Sequence, residues 1–137
     1  MKRKAILCVD DEKPILESLK EQITNNLDSQ YLVEIAESSD EAWEVIEELV
    51  EDGIGILIIV SDWLMPGMKG DEFLIKVHEQ YPQIYTVLLT GQADEKAVLN
   101  AKENANLFKY LTKPWKEEQL IDIIKTAYDE TSNTMRG

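Results

Sequence analysis

Apolar residues along this chain come in short unbroken runs, separated by stretches where they recur every three or four positions. That is the pattern of buried strands alternating with amphipathic helices. The run at residues 5–9 is strand-length and is stopped by Asp10 and Asp11. Pro14, tolerated in a first helical turn, opens a stretch in which Ile15, Leu16, Leu19, Ile23 and Leu27 share one helical face. Residues 31–36 alternate less cleanly and lead into Ser38-Ser39-Asp40-Glu41, where Ser38 and Glu41 have the spacing of a capping box. Ala42, Val45, Ile46 and Leu49 carry a second helix, and Gly53 is placed to end it.

Residues 56–60 are apolar throughout and mostly β-branched, as expected of a strand covered on both faces. Residues 62–70, with Pro66, Gly67 and Gly70, read as a loop, and Phe73, Leu74 and Val77 mark a third helix that must break before Pro82. A fourth strand is expected at residues 84–89, ending at Thr90-Gly91. Ala97, Val98 and Ala101 mark a more polar fourth helix, and residues 107–111 a short fifth strand. Leu120, Ile121, Ile124 and Ala127 form the inner face of a last helix. Parallel strands need crossover connections, so the expected fold is α/β: a single doubly wound five-stranded parallel sheet, flavodoxin-like order 2-1-3-4-5, with helices on both faces. One domain is expected over residues 1–130, followed at 131–137 by a polar C-terminal tail or the start of a linker.

Composition narrows the setting. With 137 residues and 44% apolar content the chain can bury one real core. Lys and Arg number 14 against 27 Asp and Glu, a formal net charge of −13, which argues against nucleic-acid binding through general electrostatics. The longest nearly unbroken apolar run, residues 54–60, is far short of the ~20 residues of a membrane-spanning helix. The apolar stretch after Lys2-Arg3-Lys4 is too short for the core of a secretory signal. The one cysteine, Cys8, fits a reducing compartment, and a cytoplasmic location is expected.

Doubly wound sheets place their chemistry at the carboxyl ends of the strands, beside the point where strand order reverses. Here those ends carry Asp10-Asp11-Glu12, Ser61-Asp62, Thr90-Gly91 and Thr112-Lys113-Pro114. In the expected order strands one and three are neighbours, so Asp10, Asp11 and Asp62 should converge. Three carboxylates together raise one another's pKa, and a hard divalent cation, for which Mg²⁺ suits few carboxylates and several waters, relieves the repulsion. Lys113 adds a second positive charge and Thr90 a hydroxyl, which makes a site for holding a phosphoryl group, with Asp62 as the nucleophile. Singly, each of these residues is ordinary turn or cap chemistry, Asp11 as a cap of the first helix included. Four strand ends with complementary chemistry are harder to read that way.

Asp10-Asp11, the segment Ser61-Asp62-Trp63-Leu64-Met65-Pro66-Gly67-Met68-Lys69-Gly70, Thr90-Gly91 and Tyr110-Leu111-Thr112-Lys113-Pro114 together resemble the receiver domain of two-component response regulators. The resemblance spans about Lys4 to Tyr128. It implies that Asp62 is the phospho-acceptor, taking its phosphoryl group from a sensor histidine kinase or a histidine phosphotransfer protein. It implies Mg²⁺ held by Asp11, Asp62 and the backbone carbonyl of Leu64, with Asp10 acting through water. Lys113 would pair with a phosphoryl oxygen, and the peptide to Pro114 is expected to be cis. Thr90 and Tyr110 resemble a switch pair that biases the surface of helix four, strand five and helix five. Through that surface a homodimer is possible, although the narrow apolar face of helix four leaves this open. Gly91, being small, would leave the site accessible. Leu64 and Gln92 stand where the family tunes phosphoryl lifetime, and neither is a base, so no fast self-dephosphorylation is expected. The domain is expected to promote its own phosphorylation and dephosphorylation without being a conventional enzyme. The output domain is not named by the sequence, though the Thr90-Gly91-Gln92 and Lys113-Pro114-Trp115 variants resemble receivers attached to signalling enzymes.

Rival readings lack a residue. A Mg²⁺-dependent phosphatase of the haloacid dehalogenase type needs a second acid two positions after the nucleophile, where Leu64 stands. A flavodoxin needs a Ser/Thr- and Gly-rich phosphate loop after strand one, where Asp10-Asp11-Glu12-Lys13-Pro14 stands. A degenerate receiver acting as a constitutive binding module would lack a site residue, and none is missing. Cys8 reads as a small core residue, His78 as a solvated side chain, Trp43 as packing, Trp63 and Trp115 as rim or buried residues, and the acidic run 44–52 as the wet face of helix two.

Overall fold

Consecutive side chains of a strand point to opposite faces of its sheet, and in β1 (Lys4–Val9) both sets are apolar and buried from Ala5 onward. Ala5, Leu7 and Val9 enter one core, Ile6 and Cys8 the other. Burial on both sides is what requires a layer of helices on each face. The computed structural model describes residues 4–27, 31–91 and 95–136, with side chains through 131. Its five parallel strands are β1, β2 (Tyr31–Ala36), β3 (Gly55–Asp62), β4 (Tyr85–Thr90) and β5 (Lys109–Thr112), in the order β2-β1-β3-β4-β5 that the sequence predicts.

Helices α1 (Lys13–Asn26) and α5 (Glu117–Arg136) cover the Ile6 and Cys8 side, through Leu16, Leu19 and Ile23 and through Leu120, Ile121, Ile124 and Ala127. Helices α2 (Ser39–Glu51), α3 (Gly70–Gln80) and α4 (Glu95–Asn104) cover the other side. Phe73 is its largest fully buried side chain, with the Trp43 ring edge-on at 5.6 Å. Truncating a side chain buried like this one costs about 3–5 kcal/mol.

β3 carries one residue more than β1 needs. Ala5 pairs with Ile56 but Ile6 pairs with Ile58, so Leu57 is extra. Such a bulge changes which face the following residues occupy. Ile56 lies in the α2–α4 core, Leu57 and Ile58 both lie in the α1/α5 core, and alternation then resumes with Ile59 and Val60.

The helix ends follow local chemistry. The Ser38 hydroxyl accepts from Glu41 N–H at 3.1 Å, and Glu41 Oε2 accepts from Glu37 N–H at 3.3 Å, one residue earlier than a strict capping box. Gly53, at φ 75°, ends α2 with Gly53 N–H donating to Val50 O and Ile54 N–H to Leu49 O, a Schellman closure that only glycine adopts without strain. The expected fourth and fifth strands start one and two residues early: Ile84 and Leu107 pack into the core as loop residues. Within the stretch expected as a polar tail or linker start, 131–137, the α5 backbone is helical through Arg136. A helix already nucleated propagates through polar residues, and the Thr131 hydroxyl donates back to Ala127 O at 3.0 Å. No helix among the described residues is long and apolar enough to cross a membrane.

Candidate functional site

Strand parity determines what meets at the carboxyl end of the sheet. Asp10 continues the Ile6 and Cys8 side of β1, Asp62 continues the Ile58 and Val60 side of β3, and Lys113 lies two residues beyond Leu111 of β5. All three therefore emerge on the α1/α5 side. The Lys113 ammonium lies 3.0 Å from Asp10 Oδ2 and 3.2 Å from Asp62 Oδ1. Thr90 has the opposite parity, that of Leu88, and its buried hydroxyl has no hydrogen-bond partner. The Lys113–Pro114 peptide is cis, as expected.

Asp10, Asp11 and Asp62 each offer a carboxylate oxygen within 4.8 Å of the others. Asp10 and Asp62 are buried and Asp11 is exposed. Asp10 Oδ1 accepts from Glu12 N–H at 2.9 Å, so Asp10, and not Asp11, braces the start of α1. Burial first, then the charge of Asp10, pushes the Asp62 carboxyl up to about 6, with Lys113 partly opposing. Burial also raises Asp10, against the pull of Glu12 N–H and Lys113. Burial disfavours the Lys113 ammonium, but its hydrogen bond to Asp10 and the two carboxylate charges outweigh this and raise it. Three carboxylates against one ammonium leave two negative charges uncompensated in a partly buried site, a donor set of oxygens that fits a small hard divalent cation.

A cleft of about 730 Å³ opens over these groups, lined among others by Asp11, Asp62, Trp63, Leu64, Gly91 and Lys113. The Leu64 side chain stands 61% exposed at its mouth. Gly91 lines this cleft, and a Cβ there would meet nothing within 4 Å. Gln92 lies outside the described residues. A second cleft, about 550 Å³ between Tyr85, Asn106 and Phe108, lies at the opposite end of the sheet and gathers none of these groups. The Tyr110 ring is 45% exposed, with the Lys102 ammonium 5.8 Å from its centroid.

Other side chains sort as their surroundings dictate. Trp63 lines the cleft under the Lys69 ammonium at 5.3 Å, whereas Trp115 packs on the α1/α5 core and donates to Gln22 Oε1 at 2.8 Å. Burial pushes the Cys8 thiol up to about 12, leaving it inert. His78 is half-buried in the last turn of α3.

The sequence places Gly70 in the loop and at the end of the Ser61–Gly70 segment without giving it a role. A Cβ there would drive into the backbone carbonyl of Asp62, and Gly70 N–H donates to Trp63 O at 2.8 Å. With Trp63 N–H donating to Leu89 O at 2.8 Å, the backbone just after Asp62 is held from both sides. The Asp71–Asn100 contact between α3 and α4 was not anticipated either.

Known proteins are similar to this chain in sequence and in fold. The hydrogenase transcriptional regulatory protein HoxA of Cupriavidus necator is 30% identical over 128 residues, covering 93% of this chain and 25% of that protein. The chain thus spans about a quarter of that relative's length. A chemotaxis protein CheY homolog of Campylobacter jejuni is 28% identical over 131 residues, covering 91% of this chain and 95% of that protein. The signal receiver domain of an HD domain-containing protein from Pseudomonas fluorescens Pf-5 superposes with a TM-score of 0.85 at 26% identity, covering 96% of this chain and 99% of that one. Residues 6–125 match the response regulator receiver domain model, and the chain belongs to that family.

Proposed function

We propose that this domain is a phospho-acceptor switch in which Asp62 receives the phosphoryl group of a phosphohistidine on a sensor histidine kinase or histidine phosphotransfer protein. The observation that carries this reading is the Asp62 carboxylate itself: buried, held at 3.2 Å by Lys113, and next to a strand end whose Thr90 hydroxyl lacks a partner. An Asp62 oxygen attacks phosphorus as the P–N bond breaks. Its electron pair stays on the imidazole nitrogen, which takes a proton from water, and an acyl phosphate remains on Asp62. With its carboxyl near 6, Asp62 is largely ionised and nucleophilic at neutral pH. Lys113 pairs with a phosphoryl oxygen.

Mg²⁺ fits the oxygen donors described above: Asp11, Asp62 and the Leu64 backbone carbonyl as ligands, and Asp10 through water. When bound it supplies charge neutralisation for the carboxylates and the phosphoryl oxygens. Phosphorylation adds about −1.5 to −2 charge and three strong acceptors. The Thr90 hydroxyl then donates to the phosphoryl group, and the Tyr110 ring turns inward from its present exposed position. That changes the surface of α4, β5 and α5 offered to an output partner or to a second copy of the chain. Leu64 at the cleft mouth supplies no base for hydrolysis, and neither does Gln92, so the phosphoryl group is expected to persist. A phosphohistidine donor implies a cytoplasmic setting.

Intact mass after incubation with Mg²⁺ and acetyl phosphate tests this reading. One added phosphoryl group is expected in the wild type, none in Asp62→Asn, and none with the metal chelated. Absence of the gain together with absence of Mg²⁺-dependent beryllofluoride binding, read by tryptophan fluorescence, would make the domain a constitutive binding module.

A further inference from the structure

Asp71, the second residue of α3, is 7% exposed, and its carboxylate accepts from Asn100 Nδ2 of α4 at 2.8 Å. Its other oxygen, Oδ1, is buried without a hydrogen-bond partner. A carboxylate only accepts, so Asn100 must present its NH₂ to Asp71. The amide oxygen of Asn100 is thereby turned to accept from Asn104 Nδ2 at 2.8 Å, at the last residue of α4. The two bonds run from α3 along one full turn of α4.

Each end of this connection has a firm attachment. Gly70, the neighbour of Asp71, is packed against the Asp62 carbonyl, so the start of α3 moves with the end of β3. On α4, Val98, Leu99 and Lys102 form a shallow pocket with Glu95 and the outward-turned Tyr110. The buried residues of α4 are only Ala97, Val98 and Ala101, and the helix leans chiefly on α3. A polar bond between these two helices therefore has unusual leverage over where α4 sits.

We propose that Asp71 and Asn100 are positioning residues: their bond holds α4 in the arrangement with Tyr110 outward and so sets how strongly a modified Asp62 shifts the switch. This rests on the phospho-acceptor reading above. Moving α4 away takes from a buried carboxylate its donor and leaves both oxygens unsatisfied, a penalty the resting arrangement avoids. An added group on Asp62 shifts the equilibrium only by its differential interaction with the two arrangements, and this bond belongs to the resting one. Weakening it raises the population of the switched state before any modification. The apparent affinity for a ligand of that state rises by the same factor.

The test uses the whole chain and two readouts: the ring resonances of Tyr110 in metal-free protein, and the apparent affinity for beryllofluoride in Mg²⁺. Asn100→Asp sets two carboxylates face to face. It is expected to tighten beryllofluoride binding by about tenfold and to move the Tyr110 resonances toward their beryllofluoride-saturated position. The exchanged pair Asp71→Asn/Asn100→Asp restores one donor and one acceptor in reverse, and should return both readouts to wild type. A merely structural strut would change the midpoint of unfolding and leave both readouts unmoved. That result, or failure of the exchanged pair to restore them, overturns the proposal. Should Asn100→Asp not fold, the exposed Asn104→Ala is expected to move both readouts the same way by about twofold, and no movement there overturns it equally. Wild-type protein that binds no beryllofluoride counts against the phospho-acceptor reading instead, while the metal-free Tyr110 resonances of Asn100→Asp, compared with wild type and the exchanged pair, still judge the bond.

Discussion

The two faces of the sheet are anchored differently. On one, α1 and α5 bury Leu16, Leu19, Ile23, Leu120 and Ile124 almost completely. They are cross-linked by Asn26 Nδ2 to Glu117 Oε2 at 2.7 Å, and Trp115, just before α5, donates from Nε1 to Gln22 Oε1 of α1 at 2.8 Å. On the other, α4 rests on small residues and on its link to α3. A conformational switch needs a part that yields and a part that does not, and here the division follows the sheet. Low local stability is found where elements must move.

The sharpest way to break that contrast is a pair of truncations. Ile124→Ala, in the fully buried α5 stripe, is expected to lose about 2–5 kcal/mol of stability in urea unfolding, and Val98→Ala, on α4, about 1–2 kcal/mol. Equal losses would mean that α4 is as deeply anchored as α5.

A second comparison sets the site against its scaffold. The folded protein holds the Asp62 proton up to about 6, whereas an unperturbed carboxyl releases it near 3.8. Between these values the folded state binds more protons than the unfolded state. Stability from this group is therefore lost as pH rises through that window. Asp62→Asn escapes the loss. In metal-free urea unfolding at pH 7.5 it should be more stable than wild type by at most about 3 kcal/mol, with the difference shrinking as pH falls toward 4. A wild type more stable than the variant at pH 7.5 would show that the attraction of Lys113 exceeds the effect of burial.

The smallest effect probes the fixed face alone. Trp115→Phe removes the donor to Gln22 and is expected to cost about 0.5–1.5 kcal/mol while leaving the Tyr110 resonances in place. Movement of those resonances would show that the α1/α5 face also takes part in the switch.

Most of the fold was legible because hydrophobic period and strand ends are local properties. The runs at β1 and β3, the Ser38 cap and Gly53 each declare themselves within a few residues. Asp10, Asp62, Thr90 and Lys113 were legible as a group because strand order brings strand ends together. The starts of β4 and β5 were misplaced because Ile84 and Leu107 are as apolar as strand residues while packing from loops. The length of α5 was missed because Thr131 and its neighbours carry no apolar stripe. Asp71 and Asn100 could not be paired from the sequence at all. They are polar residues 29 positions apart, each unremarkable on a helix, and only the approach of α3 to α4 makes them partners. Gly70 likewise shows its necessity only once the Asp62 carbonyl lies beside it.

The extra residue at Leu57 acts as a frameshift in a chain that is read two positions at a time. Upstream of it, even-numbered Ile56 faces the α2–α4 core, while downstream the even-numbered Ile58 and Val60 face α1 and α5, and Asp62 follows their phase. Exchanging one apolar residue for another at 58–60 alters only packing, but gaining or losing a single residue there reverses the phase. Asp62 would then point away from Lys113 with every other residue of the site unchanged. The spelling of this stretch can drift, but its count cannot.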